Sequence, residues 1–228
     1  MEKLWRLSED KHSRLVLALD LHGDKEHVLR KAKGLLDELR DYVVAVKVGY
    51  PLVLTMGLSS LEDLIEDHHD DYYFIADFKL ADVPHTNEAI CRLLKDHGLD
   101  AVIVHLFTMS IDKISEIMDV IGVLMMSHPT AVLFEKCFNE LLDYGLRAGI
   151  KGVVIGATKP QYIKLARKVI GKKLTIFSPG IGPQGGVPGQ ALSEGADFEI
   201  VGRLIVRSEE PSREAMKIVD AQRKVIYG

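Results

Sequence analysis

Two acids and a lysine stand close together in the segment Asp77-Phe78-Lys79-Leu80-Ala81-Asp82, which follows a run of apolar residues. Successive side chains of a β-strand point to opposite faces, so we expect Asp77 and Lys79 on one face and Phe78 on the other. Burying charged groups costs free energy unless they are paired, and a strand interior seldom carries them. The segment therefore predicts either a structural ion pair at a strand end or a charged catalytic array.

Polar residues also end other apolar runs of the chain. Asp20 and Lys47 close the first two runs, His105 and Ser127 end two later ones, and Arg203 follows the last. If the runs are neighbouring parallel strands about 4.8 Å apart, the charges on the first three can converge in one pocket. Alternating signs would keep each group ionised. The pattern favours the catalytic array and leaves His105 open between a core residue and a pocket residue.

Two glycine-containing segments late in the chain are candidates for binding phosphate. They are Pro179-Gly-Ile-Gly-Pro-Gln184-Gly-Gly186 and Gly202-Arg203. Glycines let backbone N–H groups approach phosphate oxygens, and the Arg203 guanidinium offers a planar fork of donors. The first segment also fits the G-x-G-x-x-G pattern, but its late position and the prolines at 183 and 188 argue against a dinucleotide site. We expect it to act as a glycine-rich lid.

The elements that must position these residues alternate regularly between apolar runs and helical patterns. Eight such units of about 25 residues, without a flexible linker, predict a single (β/α)₈ TIM barrel over residues 1–228, with 1–13 as an N-terminal extension. A doubly wound open sheet is the alternative. The strands are expected at 15–20, 43–49, 72–79, 101–105, 121–127, 152–156, 174–179 and 198–202. The main helices are expected at 28–39, 51–65, 86–97, 111–118, 134–142, 160–170, 190–193 and 212–225.

Composition excludes several other classes of protein. The net charge of −4 argues against nucleic acid as a partner, and no apolar run reaches the roughly 20 residues that cross a membrane. Cys91 and Cys137 fall in helical patterns, which suggests buried free thiols and a cytoplasmic location. The run His68-His69-Asp70-Asp71 is expected to be a solvated loop and not a metal site, since consecutive side chains diverge.

The order of several motifs resembles that of the orotidine 5′-phosphate decarboxylase family, in its archaeal form. The matching segments span about residues 14 to 206. They are Leu-Ala-Leu-Asp20, Val-Lys47-Val-Gly-Tyr-Pro51, Ala-Asp77-Phe-Lys79-Leu-Ala-Asp82-Val-Pro-His-Thr86-Asn, Met-Ser127-His-Pro129, Ser-Pro179-Gly-Ile-Gly-Pro-Gln184-Gly-Gly and Val-Gly202-Arg203. The resemblance implies decarboxylation of orotidine 5′-phosphate to UMP by a homodimer without metal or organic cofactor.

The resemblance also implies a role for each matched residue. Lys47, Asp77, Lys79 and Asp82 would form the charged array, with Asp82 and Thr86 contributed across a dimer interface. Asp20 and Thr86 would bind ribose hydroxyls, Ser127 the pyrimidine amide, and Gln184 and Arg203 the phosphate. Pro179 and Gly202, in the same two segments, would also bind the substrate. The chain departs from the family pattern at Leu-Phe-Thr after His105 and at Pro183 beside Gln184. Both departures concern the dynamics of loops more than the reaction.

Two rival functions remain open from the sequence. Related barrels that decarboxylate 3-keto-L-gulonate 6-phosphate or condense a pentulose phosphate also carry D-x-K-x-x-D. They resemble this chain less, because they use a divalent metal and typically have an acid where Lys47 stands. A non-catalytic phosphate-binding barrel would keep the glycines and Arg203 but would not need both lysines and three acids.

Overall fold

A closed barrel of eight parallel strands forms the centre of the protein. The computed structural model describes residues 1–228, and each strand pairs with the next in chain order until β8 closes on β1. The strands are β1 (Leu15–Ala18), β2 (Val43–Gly49), β3 (Tyr73–Leu80), β4 (Ala101–His105), β5 (Asp119–Met125), β6 (Gly152–Ile155), β7 (Thr175–Pro179) and β8 (Phe198–Val201). The predicted TIM barrel is confirmed, and the open sheet is excluded.

Helices surround the barrel and bury an apolar stripe against it. They are α1 (Glu2–Lys11), α2 (Lys25–Leu39), α3 (Tyr50–Met56), α4 (Leu58–His68), α5 (Pro84–Asp96), α6 (Val132–Lys136), α7 (Phe138–Arg147), α8 (Pro160–Ile170), α9 (Gln190–Ser193), α10 (Arg203–Val206) and α11 (Pro211–Tyr227). Asp24 caps α2 as a typical N-cap residue, since its carboxylate accepts from the His27 N–H. None of these helices combines the length and apolarity needed to cross a membrane.

Three predicted helices differ from those observed. The helix expected over 51–65 is split into α3 and α4 at Gly57, which has φ of 78°. The helix expected over 134–142 is likewise two short helices that meet at Cys137. In place of the helix expected over 111–118 there is one 3₁₀ turn, Ile114–Glu116. Here Ser115 Oγ donates to the carbonyl of Asp112, a local bond that competes with helix formation.

The N-terminal extension closes the amino end of the barrel. Its helix α1 reaches the starts of several strands: Trp5 Nε1 donates to Thr175 Oγ1 at 3.2 Å, and Lys3 Nζ lies 2.9 Å from Asp100 Oδ2. Lys11 Nζ donates to the carbonyl of Val43. Because α1 covers this end, the opposite end, where the strands finish, is the open mouth in which TIM barrels place their sites.

Two minor predictions about single residues need correction. His68 does not lie in a solvated loop, because it is the last residue of α4, it is buried, and its Nδ1 lies 2.9 Å from the Leu64 carbonyl oxygen. Leu64 precedes His68 by four residues, about one helical turn, which explains the contact. The sequence did not predict it, because the helix ends inside a run of four polar residues. Cys91 is buried as predicted, but Cys137 is only half-buried, since it lies at the junction of α6 and α7.

Candidate active site

The carboxylate of Asp77 lies between two lysine ammonium groups at the mouth of the barrel. Lys47 Nζ lies 2.8 Å from Asp77 Oδ2, and Lys79 Nζ lies 2.6 Å from Asp77 Oδ1. Lys47 Nζ is also 3.7 Å from Asp20 Oδ1. The structure thus brings four of the predicted residues together as a row of alternating charges. They are Asp20, Lys47, Asp77 and Lys79. Only the Lys47 and Asp77 side chains are largely withdrawn from solvent, at 10% and 12% exposure.

An irregular stretch of β3 positions Lys79. The register between β3 and β4 shifts between Ala76 and Leu80, and Lys79 has φ of 45°, which a residue with a Cβ seldom adopts. Simple strand alternation predicted that Asp77 and Lys79 share a face, and their contact agrees, but the strand is not regular at that point. Non-glycine residues in such conformations are concentrated at functional sites.

The charges of the array determine its protonation. Burial disfavours the charged ammonium of Lys47, but the carboxylates of Asp77 and Asp20 outweigh this effect and raise the pKa of Lys47. Burial likewise disfavours the Asp77 carboxylate, yet the ammonium groups of Lys47 and Lys79 outweigh it and lower the pKa of Asp77. Lys47 and Asp77 are therefore both ionised at neutral pH.

Asp20 stands between the ends of β2 and β8. A Cβ added to Gly49 would lie 3.7 Å from Asp20 Oδ1, and one added to Gly202 would lie 3.6 Å from Asp20 Oδ2. Half of the Asp20 side chain is exposed to solvent. The carboxylate therefore has one oxygen toward Lys47 and remains accessible to a ligand from the mouth.

Ser127 lies just past β5, against the ends of β6 and β7. Thr158 Oγ1 donates to the Ser127 carbonyl at 2.7 Å, and a Cβ on Gly156 would lie only 2.6 Å from Ser127 Cα. At the end of β7, the Pro179 carbonyl accepts from the Ala157 N–H at 2.8 Å. These contacts hold Ser127, half-buried, at the rim of the mouth.

The glycine-rich loop after β7 folds back on itself beside Ser127. Gly186 N–H donates to the Gly180 carbonyl and Gly182 N–H to the Gly186 carbonyl, at 3.0 and 2.8 Å. A Cβ on Gly180 would lie 3.1 Å from Gln184 Oε1 and 3.4 Å from Ser127 Cβ. Gln184 itself is exposed. The loop thus places the Gln184 amide near Ser127 while leaving it accessible.

The two predicted phosphate-binding segments pack against each other. Gly182 has φ of 85°, and a Cβ there would lie 2.4 Å from Leu204 Cδ1 in α10. Gly202 caps α10, and Arg203 is its exposed first residue. Only glycine permits this approach, so the loop after β7 and the start of α10 form one surface.

Asp82 and Thr86 do not join the array within one chain. Asp82 is exposed in the turn before α5, and its Oδ1 accepts from the Val83 N–H at 2.7 Å. Thr86 is half-buried in the first turn of α5. Neither forms a hydrogen bond or an ion pair with Lys47 or Lys79, whose partners are Asp77 and Asp20.

His105, whose place the sequence left open, is half-buried at the end of β4. Its Nδ1 is buried without a hydrogen-bond partner, and its ring lies against Phe107 and Phe134. Burial, and then the charge of Lys79, lower the pKa of His105. The imidazole is therefore neutral at neutral pH and borders the array on the β4 side.

Two residues that support the site were missed by the sequence reasoning. Asn87 is buried, donates to the Asp82 carbonyl at 2.8 Å, and so fixes the main chain of that turn. Thr158 anchors Ser127, as described above. Asn87 directly follows Thr86 in the motif that resembles the decarboxylase family, so the sequence could have indicated its role. Thr158 follows β6 and belongs to no sequence pattern, so nothing in the sequence indicated its role.

A closed barrel with paired charges at the carboxyl ends of its strands and a glycine-rich loop beside them is the arrangement of a TIM-barrel enzyme. Residues 13–218 match the model of the family described as "Orotidine 5'-phosphate decarboxylase / HUMPS family". The chain belongs to this family.

Named relatives agree with that assignment. The chain is 42% identical over 219 residues to an orotidine 5′-phosphate decarboxylase of Methanococcoides burtonii, covering 92% of this chain and 98% of that protein. It is 35% identical over 209 residues to the Pyrococcus furiosus enzyme of the same name, covering 90% and 96%.

Solved structures extend the agreement to three dimensions. The crystal structure of orotidine 5′-phosphate decarboxylase from Pyrococcus horikoshii has a TM-score of 0.82 at 35% identity, covering 92% of this chain and 99% of that one. The Methanocaldococcus jannaschii enzyme complexed with the inhibitor BMP has a TM-score of 0.81 at 32% identity, covering 92% and 98%.

Proposed function

We propose that this chain is a carboxy-lyase that converts orotidine 5′-phosphate to UMP, the last step of de novo pyrimidine nucleotide synthesis. The observation that carries the proposal is the position of Asp77, with one lysine ammonium on each carboxylate oxygen at 2.6 and 2.8 Å. Family membership and the named relatives support the same reaction. The array, and not the fold alone, supplies the chemistry.

Lys79 is the proposed proton donor of this reaction. Cleavage of the bond between pyrimidine C6 and its carboxyl carbon releases CO₂ and leaves the electron pair on C6. That pair lies in the plane of the ring, so the ring delocalises it poorly. The Lys79 ammonium stabilises the developing charge and then transfers a proton to C6, giving UMP and a neutral amine that regains its proton from water.

Asp77 and Lys47 keep Lys79 in place. The short contact between Asp77 and Lys79 fixes the ammonium in one direction, and Lys47 balances the charge of Asp77 from the other side. A preorganised charge needs little rearrangement during the reaction, which is how such groups lower a barrier. Asp77 also places negative charge beside the substrate carboxylate, which disfavours the bound reactant relative to the product.

The remaining predicted residues bind the parts of the substrate that do not react. Asp20, accessible at the mouth, accepts hydrogen bonds from ribose, and Ser127 at the rim contacts the pyrimidine amide. Gln184 and Arg203 bind the phosphate, between Pro179 and Gly202. Binding energy from such a remote group can order the site around the reacting carbon. The packing of Gly182 on Leu204 supports a joint phosphate surface.

The position of Lys47 favours this reaction over the sugar-phosphate branch of the family. The Lys47 ammonium lies between the carboxylates of Asp20 and Asp77, at 3.7 and 2.8 Å. A divalent cation bound by those acids would meet a fixed positive charge, which would repel it. A carbanion at C6, by contrast, is stabilised by positive charge. We therefore propose a reaction that uses neither metal nor organic cofactor.

We further propose a homodimer in which Asp82 and Thr86 complete the partner's site. Asp82 is exposed without a cation partner in its own chain, and its neighbour Val83 is a half-exposed apolar residue. Ser110 Oγ donates to the Asp82 carbonyl, which brings the exposed Met109 to the same surface. An apolar surface around an unused carboxylate is suited to a second copy of the chain.

Mixing two inactive variants tests the shared site. Lys79→Ala and Asp82→Asn should each be inactive alone. In a mixed dimer, the Asp82→Asn subunit has its own Lys79 and receives Asp82 from its partner, so random mixing should restore about a quarter of wild-type activity. If no activity returns although mass spectrometry detects the mixed dimer, Asp82 does not act across the interface.

We propose that residues 1–228 act as one unit, since α1 bonds to the starts of β2 and β7. We propose the cytoplasm as its compartment, because Cys91 and Cys137 are free thiols.

Turnover after treatment with EDTA tests the reaction itself. We expect purified protein to release CO₂ from orotidine 5′-phosphate at an undiminished rate in the chelator and to leave 3-keto-L-gulonate 6-phosphate unchanged. Activity only with added Mg²⁺ and only on the sugar phosphate would contradict the proposal. Folded protein that binds UMP without turning over either compound would instead indicate a binding barrel.

A further inference from the structure

A cavity lies at the amino end of the barrel, opposite the proposed active site. Its volume is about 580 Å³, within the range of about 300–1,000 Å³ typical of small-molecule sites. Its walls come from α1, the start of β7, the residues before β8 and the end of α11. The packed interior of the barrel separates it from the mouth.

Positive charge dominates this cavity. Three cations line it, Arg14, Arg167 and Lys172, against a single acid, Asp197. Arg167 is already committed: its Nη2 pairs with Asp197 at 2.5 Å, and its Nε donates to the Gly195 carbonyl at 2.8 Å. The one acid is therefore neutralised, and two positive charges remain.

Arg14 is the more informative of these two cations. Arg14 is half-buried, and its Cζ lies 4.5 Å from the centroid of the Trp5 ring and 5.5 Å from that of Phe198. It forms no ion pair, whereas Lys3 and Arg167 at the same end of the barrel each pair with an acid. The two aromatic rings hold the guanidinium by cation–π contacts, which leave its N–H donors free for a planar or tetrahedral anion.

The rest of the cavity offers one further charge and an apolar wall. Lys172 is exposed in the turn after α8 and forms no ion pair. Leu174, Leu192, Val225 and Ile226 supply apolar surface. Two free cations suit a group that carries about two negative charges, and the apolar wall suits a carbon body attached to it.

We propose that this cavity binds a small organic phosphate, with the phosphate between Arg14 and Lys172 and the organic part against the apolar wall. The site is distinct from the phosphate surface of the mouth, which Gln184 and Arg203 serve. It involves no residue of the charged array, so occupancy is independent of the decarboxylation reaction.

Tryptophan fluorescence gives a local readout of this site. Trp5 is the one tryptophan of the chain and lines the cavity beside Arg14. Titration of the full-length protein with AMP and, separately, inorganic phosphate should give a saturable change in emission. AMP should bind at least about tenfold more tightly, since its base and ribose contact the apolar wall. Equal affinities would contradict an organic ligand, and no saturable change would contradict the site.

Variants separate this cavity from the mouth. Lys172→Met and Arg14→Leu should each raise the dissociation constant for AMP at least about tenfold. Lys173→Met changes a neighbouring exposed lysine that does not line the cavity, and it should leave this dissociation constant unchanged. Arg203→Ala should also leave the Trp5 signal unchanged. A signal that survives Lys172→Met, or that Arg203→Ala abolishes, would overturn the proposal. Lys172 is exposed, so the test does not depend on Arg14→Leu folding.

Discussion

Lys47 Nζ and Asp77 Oδ2 lie 2.8 Å apart at the mouth of the barrel, and each side chain retains only about a tenth of its exposure. Two opposite charges in such a place are stable only together, since either one alone would be buried without a partner. The pair therefore has a structural role as well as its proposed role of holding Lys79. Both roles can be measured.

Lys47→Met should lower both stability and activity. The substitution leaves Asp77 paired with Lys79 alone. Removal of one partner from a buried ion pair lowers the free energy of unfolding by about 3–5 kcal/mol. Because Lys79 still pairs with Asp77, we expect a decrease of about 3 kcal/mol. Denaturant unfolding measures this cost, and kcat should fall because Asp77 can turn away from Lys79. As a control, Lys33→Met removes a surface lysine paired with Asp67 and should leave both quantities near wild type. A stable, fully active Lys47→Met would contradict the role of the pair.

Stability should depend on pH at both extremes through this pair. The folded pKa of Asp77 is below its usual value of 3.8, so its contribution is present above pH 3.8 and is lost as the pH falls through the folded pKa. The folded pKa of Lys47 is above 10.5, so its contribution is present below pH 10.5 and is lost as the pH rises through that pKa. Thermal unfolding across pH should show a plateau between these limits.

The double variant Lys47→Met, Asp77→Asn isolates the contribution of the pair to this profile. Other acids also titrate, so the difference between wild type and the double variant is the relevant quantity. That difference should be constant at intermediate pH and change at both extremes. A difference that does not vary with pH would contradict the assigned pKa directions.

Gly156→Ala should disturb Ser127 specifically. The added Cβ would lie 2.6 Å from Ser127 Cα, a contact that requires the backbone to move. Overpacking of this kind costs about 1–3 kcal/mol, and the displaced Ser127 should raise KM for the substrate. Gly34→Ala is the matched control, because its Cβ meets nothing within 4 Å in α2 and should stabilise the helix by about 0.5–1 kcal/mol. An unchanged KM in Gly156→Ala would separate Ser127 from substrate binding.

Glu199 should control the loop that carries Gln184 without touching the substrate. This fully buried carboxylate accepts from the N–H groups of Gly189 and Ala191 at 2.9 and 3.2 Å and from Gln222 Nε2 at 3.0 Å. Glu199→Ala leaves these donors without a partner, so we expect a loss of at least about 2 kcal/mol, since each unsatisfied buried group costs on the order of 1–3 kcal/mol.

The kinetic effect of Glu199→Ala should fall on KM more than on kcat, because the loop ends at Gly189 and bears on phosphate binding. Comparing orotidine 5′-phosphate with orotidine, which lacks the phosphate, gives the control: only the phosphorylated substrate should be affected. An equal loss with both substrates would show that Glu199 acts on the whole barrel and not on the loop.

The sequence predicted most of the barrel because its strands are short apolar runs at even spacing. It located Asp20, Lys47, Asp77 and Lys79 for the same reason, since charges at strand ends stand out against apolar residues. It could not predict the left-handed conformation of Lys79, which depends on the pairing of β3 with β4. Nor could it predict the burial of His68, which depends on a helix whose end lies inside a polar run.

The sequence also could not predict the cavity at the amino end of the barrel. Arg14 and Trp5 are nine residues apart and belong to no motif, and only the closure of the barrel end by α1 brings them together. Long-range packing of this kind leaves no periodic signal in the sequence. Glu199 is similar, since an acid in the middle of a predicted strand gives no hint of the loop that it anchors.

The rate of CO₂ release from saturating orotidine 5′-phosphate by Lys79→Ala, with UMP affinity measured alongside, tests the central claim most directly. Loss of both charge stabilisation and proton donation predicts a fall in kcat of at least about 10⁴-fold while the variant still binds UMP. A variant that binds UMP and retains kcat within about tenfold of wild type would contradict the role assigned to Lys79.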